Sequence, residues 1–405
     1  MADAVAAILL ATITLYAVLG GADFGGGLWD LLAGGDRRGA AARQLIDDSI
    51  TPVWEANHVW LVFALVIFWT GFPVAFAAVM SAVALPIWLA VGGVVLRGAG
   101  FAFRKEVRGI TLQRVTGATF AFSSLLTPFF MGTVIGAMAA GQVPAGASRA
   151  SLPAWTGATS LLIGFLFVGA CGYLAAVYLI GEAAERGDRR LETYFTRRAQ
   201  AAGLVTGALS LAILAKLHGS DPPLFRHLTG RALPLVIIAA VTGVAVVALL
   251  TVSSRSPDVS AARLRGAPEA PPSGRTRGAR PLAALGVAAV IWGWGVAQYP
   301  TLLPGTPVTL SSAGAPHATL VALVVLFAAV VLIVGPSFGL LFALRGRQVL
   351  RHEGGEIALV PGGAGPRAAG PGDAPGRPGP GSRAAAFGLV AVGALARALW
   401  RRVGR

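Results

Sequence analysis

Nine runs of about 20 apolar residues, each long enough to span roughly 30 Å of hydrocarbon at about 1.5 Å per residue, leave this chain few folds to choose from. Their approximate bounds are 4–27, 53–72, 74–100, 115–140, 155–181, 200–217, 232–252, 281–299 and 317–344. None alternates with period two, as the strands of an outer-membrane barrel would. The runs predict an all-α polytopic membrane bundle of about nine transmembrane helices within residues 1–350. Composition agrees, since 55% of the 405 residues are hydrophobic and only 13% are charged, about half the charged fraction of a soluble domain. That excludes intrinsic disorder, which needs low hydrophobicity, and speaks against an ordinary cytoplasmic globule.

Charge placement tests the helix count. The chain has 33 Lys and Arg against 18 Asp and Glu, a net charge of +15. Such an excess reads either as a nucleic-acid surface or as the Lys/Arg bias of cytoplasmic membrane loops. With the N-terminus outside, the odd-numbered connections are cytoplasmic. They hold Arg37, Arg38 and Arg43, then Arg97, Arg104, Lys105, Arg108 and Arg114, then Arg186, Arg189, Arg190, Arg197 and Arg198. The seventh holds Arg255 to Arg280, and ten more cations follow in the tail. Only Arg149, Lys216, Arg226 and Arg231 are left for the outside. The expectation is therefore N-out/C-in, with no nucleic-acid partner.

The N-terminal run lacks a cationic n-region and a small-residue cleavage site, so it reads as a retained first helix. Residues 351–383 are rich in Pro, Gly and Arg and read as a flexible cytoplasmic linker. Beyond it, 384–405 is apolar but short, and a crossing there would carry Arg401, Arg402 and Arg405 outside. An interfacial helix on the inner leaflet is expected instead. The single Cys171 excludes disulfides within the chain and any Cys-based metal or haem-attachment motif.

Ionisable groups inside hydrocarbon cost several kcal/mol and are functional candidates by default. Asp23 lies near the inner end of helix one, and Glu55 at the start of helix two. Both carboxylates are expected toward the cytoplasmic side, where a proton-uptake path or a cation site would need them. The competing reading is structural, each acid being satisfied by a backbone or Arg partner. His58 reads either as a ligand or as an interior hydrogen-bonding residue beside Asn57. No paired ligand spacing accompanies it, so neither a metal nor a haem site is expected in this chain. Arg104 is a headgroup anchor at the cytoplasmic face or a partner for an acid such as Glu55. Trp292, Trp294 and Tyr299 read as an interfacial aromatic belt.

At these segments the sequence resembles subunit II of the cytochrome bd-type quinol oxidases, the cyanide-insensitive type included. The matching pieces are GGADFGGGLWDLL (20–32), PVWEANHVWLVF (52–63), RGAGFAFR (97–104), SLLTPFFMGTVIGA (124–137) and WGWGVAQYPTLLP (292–304). They fall in order from helix one to the outer end of helix eight. The resemblance implies two four-helix bundles plus one peripheral helix. It implies a respiratory complex of the bacterial cytoplasmic (inner) membrane that oxidises quinol, reduces dioxygen to water and builds a proton-motive force with protons taken from the cytoplasm. Haem b and haem d would sit in the partner subunit I. This chain would be the non-haem partner, in contact with lipid and quinone, with a structural quinone and small single-helix accessory subunits as further associates.

By the same resemblance Glu55 occupies an acidic position of the proton path, and Asp23 contributes to it. Trp54, Asn57, His58 and Trp60 belong to the helix-two motif, with Trp60 on the apolar approach for dioxygen. Some members carry a carboxylate at the position of Ala102, and Glu106, one turn further, is the expected substitute. Two other classes compete, a cation-coupled secondary transporter using Asp23 and Glu55, and a purely structural membrane subunit. A transporter predicts broken helices at matching places in two halves, and Pro128 and Pro336 do not match in that way.

Overall fold

Helix formation follows the apolar runs. The computed structural model describes residues 1–35, 39–106, 110–146, 150–220, 222–254, 274–346, 350–353 and 356–359, with the side chains of 50–56, 101–106, 110–115, 220, 222, 253–254, 274–277, 334, 338–346, 350–353 and 356–359 left out of the description. The long helices are α1 (Ala2–Leu31), α2 (Ala40–Gly71), α4 (Ala84–Glu106), α5 (Ile110–Ala139), α7 (Ala158–Glu185), α8 (Arg189–Ser220), α10 (Leu233–Ser254), α11 (Gly274–Gln298) and α13 (His317–Gly346). Four short ones connect them: α3 (Pro73–Ala82), α6 (Leu152–Thr156), α9 (Pro222–Thr229) and α12 (Leu310–Ala313). Among the described residues, seven helices are long and apolar enough to cross a membrane, or eight if the bent pair α2–α3 counts as one span. The remaining run, Ala84–Gly100, is apolar but shorter. Helix α4 as a whole has 23 residues, about 35 Å at 1.5 Å per residue.

The third expected helix, 74–100, is broken. Asn57–Gly71 and Pro73–Ala82 meet at 114°, and α3 gives way to α4 at Val83. Two prolines cause this. Pro73 takes the first position of α3, where its missing N–H costs nothing. Pro86 has no N–H to return to the Ala82 carbonyl four residues back, and that carbonyl accepts instead from Ser151 N at 3.2 Å. The freed carbonyl of Gly71 at the end of α2 accepts from Ala315 N at 2.9 Å. The sixth helix also departs from its expected bounds. It starts at Arg189 instead of about 200, so Arg189, Arg190, Arg197 and Arg198 lie on α8 and not in a loop.

Two four-helix groups follow the order of the chain. α1, α2, α4 and α5 form one, and α7, α8, α10 and α11 the other. They join where α7 packs on α1 and α5. The approach is close enough that a Cβ on Gly25 of α1 would overlap the Cys171 carbonyl of α7. A Cβ on Gly132 of α5 would come within 2.7 Å of the Gly164 Cα. Small residues permit such contact between membrane helices, and Trp29 Nε1 then donates to Gly172 O across the α1–α7 seam at 2.8 Å. α13 lies at the margin of the first group through Leu320, Leu323 and a Phe63–Phe327 stack with centroids 5.8 Å apart. The helices group as the expected pair of bundles, while among the described residues seven or eight of them, not nine, are long and apolar enough to cross a membrane.

The cations of several connections meet at one end of these bundles. Arg186, after α7, pairs with Asp48 of α2 at 3.0 Å. Arg280 at the start of α11 pairs with Glu182 at 3.1 Å and donates to Tyr178 O at 2.8 Å. Arg198 of α8 lies over the Tyr194 ring, 3.3 Å from its centroid.

The chain divides into two units, Met1–Val331 and Leu332–Arg405. The second holds the last part of α13 and an antiparallel hairpin of β1 (Leu350–Glu353) and β2 (Glu356–Leu359). This hairpin falls at the start of the stretch read as linker, and 384–405 lies outside the described residues.

Candidate functional site

Helix α1 brings Asp23 into the interior of the first bundle at the same depth as Arg97 of α4, 74 residues later. Arg97 Nη2 donates to Asp23 Oδ1 at 2.6 Å and to the Asp23 carbonyl at 2.8 Å. Both side chains are essentially out of reach of solvent, at 0% and 1% exposure. Arg97 Nη1 donates to Ser124 Oγ of α5, and Ser124 Oγ donates to Phe120 O at 2.6 Å. The guanidinium lies between two aromatic faces, 4.4 Å from the Phe120 centroid and 4.9 Å from that of Phe24. Gly27 makes this closure possible, because a Cβ there would run into Ser124 Oγ.

The polar surroundings are partly open in hydrogen-bonding terms. Asp23 Oδ2, Arg97 Nε, Thr127 Oγ1 and both amide atoms of Asn57 are buried without a hydrogen-bond partner among the described residues. Asn57, 1% exposed, packs directly on Gly20, where a Cβ would lie 2.6 Å from its Nδ2. His58 is within electrostatic reach of Asp23, and Tyr16 donates to Met131 Sδ at 3.7 Å. Buried polar groups normally find partners or ordered water, and this cluster of unmet donors and acceptors offers such water its partners. An Arg-bound carboxylate with one remaining oxygen can pass a proton through such water. It can equally serve as a clamp holding α1, α4 and α5.

The sequence-derived residues therefore meet in part. Asp23, Asn57 and His58 converge, and Trp60 is buried further along α2. Trp54 and Glu55 lie on α2, and Arg104 and Glu106 on α4, but their side chains are outside the described residues. Arg97 corrects the sequence reading, which counted it among the cytoplasmic cations. Burial against Asp23 makes it an interior residue. The signal was present, since Arg97 is the cation that falls inside an apolar run toward the same end as Asp23. A buried acid needs such a counter-charge. Among the described residues, no group of three His, Cys, Asp or Glu could hold a metal ion.

Comparison with known proteins extends this picture. The family model described as cytochrome bd terminal oxidase subunit II matches residues 1–344. A subunit 2 of the cytochrome bd ubiquinol oxidase of Bacillus subtilis (strain 168) is 29% identical over 128 residues, 31% of this chain and 37% of that protein. Subunit 2 of the cytochrome bd-I ubiquinol oxidase of Escherichia coli (strain K12) is 27% identical over 214 residues, 51% of this chain and 54% of that protein. The aligned stretches thus span about a third and about half of those relatives. A chain from the structure of the bd oxidase of Geobacillus thermodenitrificans superposes with a TM-score of 0.66 at 22% identity, covering 85% of this chain and 98% of that one, a likeness of fold. With the family pattern running unbroken from α1 into α13, the chain belongs to the cytochrome bd terminal oxidase subunit II family.

Proposed function

We propose that this chain is the non-haem subunit of a respiratory quinol:dioxygen oxidoreductase in the bacterial cytoplasmic membrane, oriented N-out/C-in. Its partner, subunit I, would carry haem b and haem d and the redox chemistry, while this chain braces that partner and supplies a proton path from the cytoplasm. The observation that carries the reading is the family match over residues 1–344. The path would begin at Glu55, with Glu106 in the role of the carboxylate missing at Ala102, and pass the unpartnered buried polar atoms of Asp23 and Asn57. Carboxylates suit this task because they exchange protons with adjacent water at low cost when one oxygen is free.

Purification of the tagged chain from native membranes should bring a haem-bearing second chain, visible in a reduced-minus-oxidised absorption spectrum. Purification without one sinks the reading. Glu55→Gln should slow oxygen uptake while haem content stays unchanged, and undiminished turnover would remove Glu55 from the path.

A second reading is favoured by the Asp23–Arg97 pair itself, in which Asp23 is a structural clamp only. Asp23→Asn separates the two. A proton role predicts slower turnover per haem, whereas a clamp predicts lower thermal stability with turnover per haem intact.

A further inference from the structure

We propose that the pocket between α8, α9 and α10 binds an anionic phospholipid, with an acyl chain in the pocket and the phosphate against the cations around its mouth. The pocket has a volume of about 420 Å³ and is lined by Leu214, Ala215 and His218 of α8 and by Phe225, Leu228 and Thr229 of α9. That volume lies in the range of small-molecule sites, roughly 300–1,000 Å³. Its walls are apolar apart from His218 and Thr229, and both are already engaged. The His218 ring sits edge-on to Phe225 with centroids 4.7 Å apart, and Thr229 Oγ1 donates to Phe225 O at 2.9 Å.

Helix α9 is two-sided. Leu224 is buried and Phe225 and Leu228 are half-buried, while Arg226 and His227 are exposed. Arg231 Nη2 donates to Ala297 O at 2.6 Å and lies 3.4 Å from His227 Nδ1, which ties the cationic side to the end of α11. Three of the four cations that the orientation leaves outside, Lys216, Arg226 and Arg231, belong to this one connection, together with His218 and His227. The charge bias of membrane proteins depletes cations on that side. A group kept there against the bias, with Lys216 next to Ala215, Arg226 next to Phe225 and Arg231 two residues after Thr229 of the slot's apolar lining, complements a ligand with a negative head and a hydrocarbon tail. Free phosphate has no use for the slot, and a neutral quinone has none for the cations. The choice of the outer leaflet rests on the proposed orientation, while binding itself does not.

The test uses the complete complex in mild detergent, with extracted lipid identified by mass spectrometry and thermal unfolding followed on lipid addition. Phosphatidylglycerol should co-purify, and added dioleoylphosphatidylglycerol should raise the unfolding midpoint, whereas dioleoylphosphatidylcholine and inorganic phosphate should not. Arg226→Gln should weaken phosphatidylglycerol binding about fivefold, the share of one cation near an anionic lipid surface. Ala215→Trp should fill the slot and abolish retention. Equal stabilisation by the zwitterionic lipid, stabilisation by phosphate alone, unchanged binding in Arg226→Gln, or loss of a quinone in place of phospholipid from Ala215→Trp would each overturn the proposal. Arg226 is exposed, so that variant decides the matter even if Ala215→Trp fails to assemble. Haem spectra and oxygen uptake of the same preparations report on the proposed function separately, and their loss with lipid binding intact would tell against that reading alone.

Discussion

Asp23 and Arg97 show how a few buried atoms tie distant helices together. Taking two charges out of water costs several kcal/mol each, and mutual attraction offsets this only with good geometry and further hydrogen bonds. Here the Asp23 carbonyl and Ser124 supply those bonds. Removing one partner leaves an uncompensated buried charge. Arg97→Leu should therefore destabilise the subunit by about 3–5 kcal/mol, read as a lower unfolding midpoint and reduced yield of assembled complex. Combining it with Asp23→Asn should recover part of the loss, because the orphaned charge is gone. A double variant no more stable than Arg97→Leu would show that the carboxylate was not charged in the first place.

Among the elements, the α2–α3–α4 segment departs most from a run of plain spans. Its two breaks are held by backbone hydrogen bonds from distant loops, Ala315 to Gly71 and Ser151 to Ala82. Phe72, with no exposed surface, fills the corner between α2 and α3. Phe72→Ala should cost about 3–5 kcal/mol, the usual range for emptying such a site, and thermal melts of the complex would measure it. A loss below about 1 kcal/mol would mean that the corner collapses onto the void. The apolar runs 53–72 and 74–100 already placed a boundary at the first break. They missed the second, because a proline in a first turn is compatible with a helix start and only the Ser151 contact shows that α3 ends just before it.

For the whole molecule, the pairing of Arg186 with Asp48 and of Arg280 with Glu182 gathers the ends of α2, α7 and α11 at one pole. The connection bearing Arg226 caps the opposite ends of α8 and α10. Orientation follows if the cation-rich pole is cytoplasmic. Single cysteines placed by Arg190→Cys and Arg226→Cys in a Cys171→Ala background should respond oppositely to an impermeant maleimide applied to intact cells. The site at 226 should label and the site at 190 should not. The reverse pattern would invert the topology.

The helical class, the approximate spans and the family were legible in the sequence, since hydrocarbon thickness sets run length and the motifs are local strings. Asp23 and Asn57 were legible as well, because polar groups inside apolar runs stand out. What only the tertiary structure decided was the company they keep. Arg97 counts as one more loop cation when read along the chain, and becomes the counter-ion of Asp23 only when α1 and α4 lie side by side. The physical reason is range. Apolar length and loop charge act along the chain against the membrane, whereas an ion pair, a helix corner or an apolar pocket between helices depends on contacts between residues that packing alone brings together.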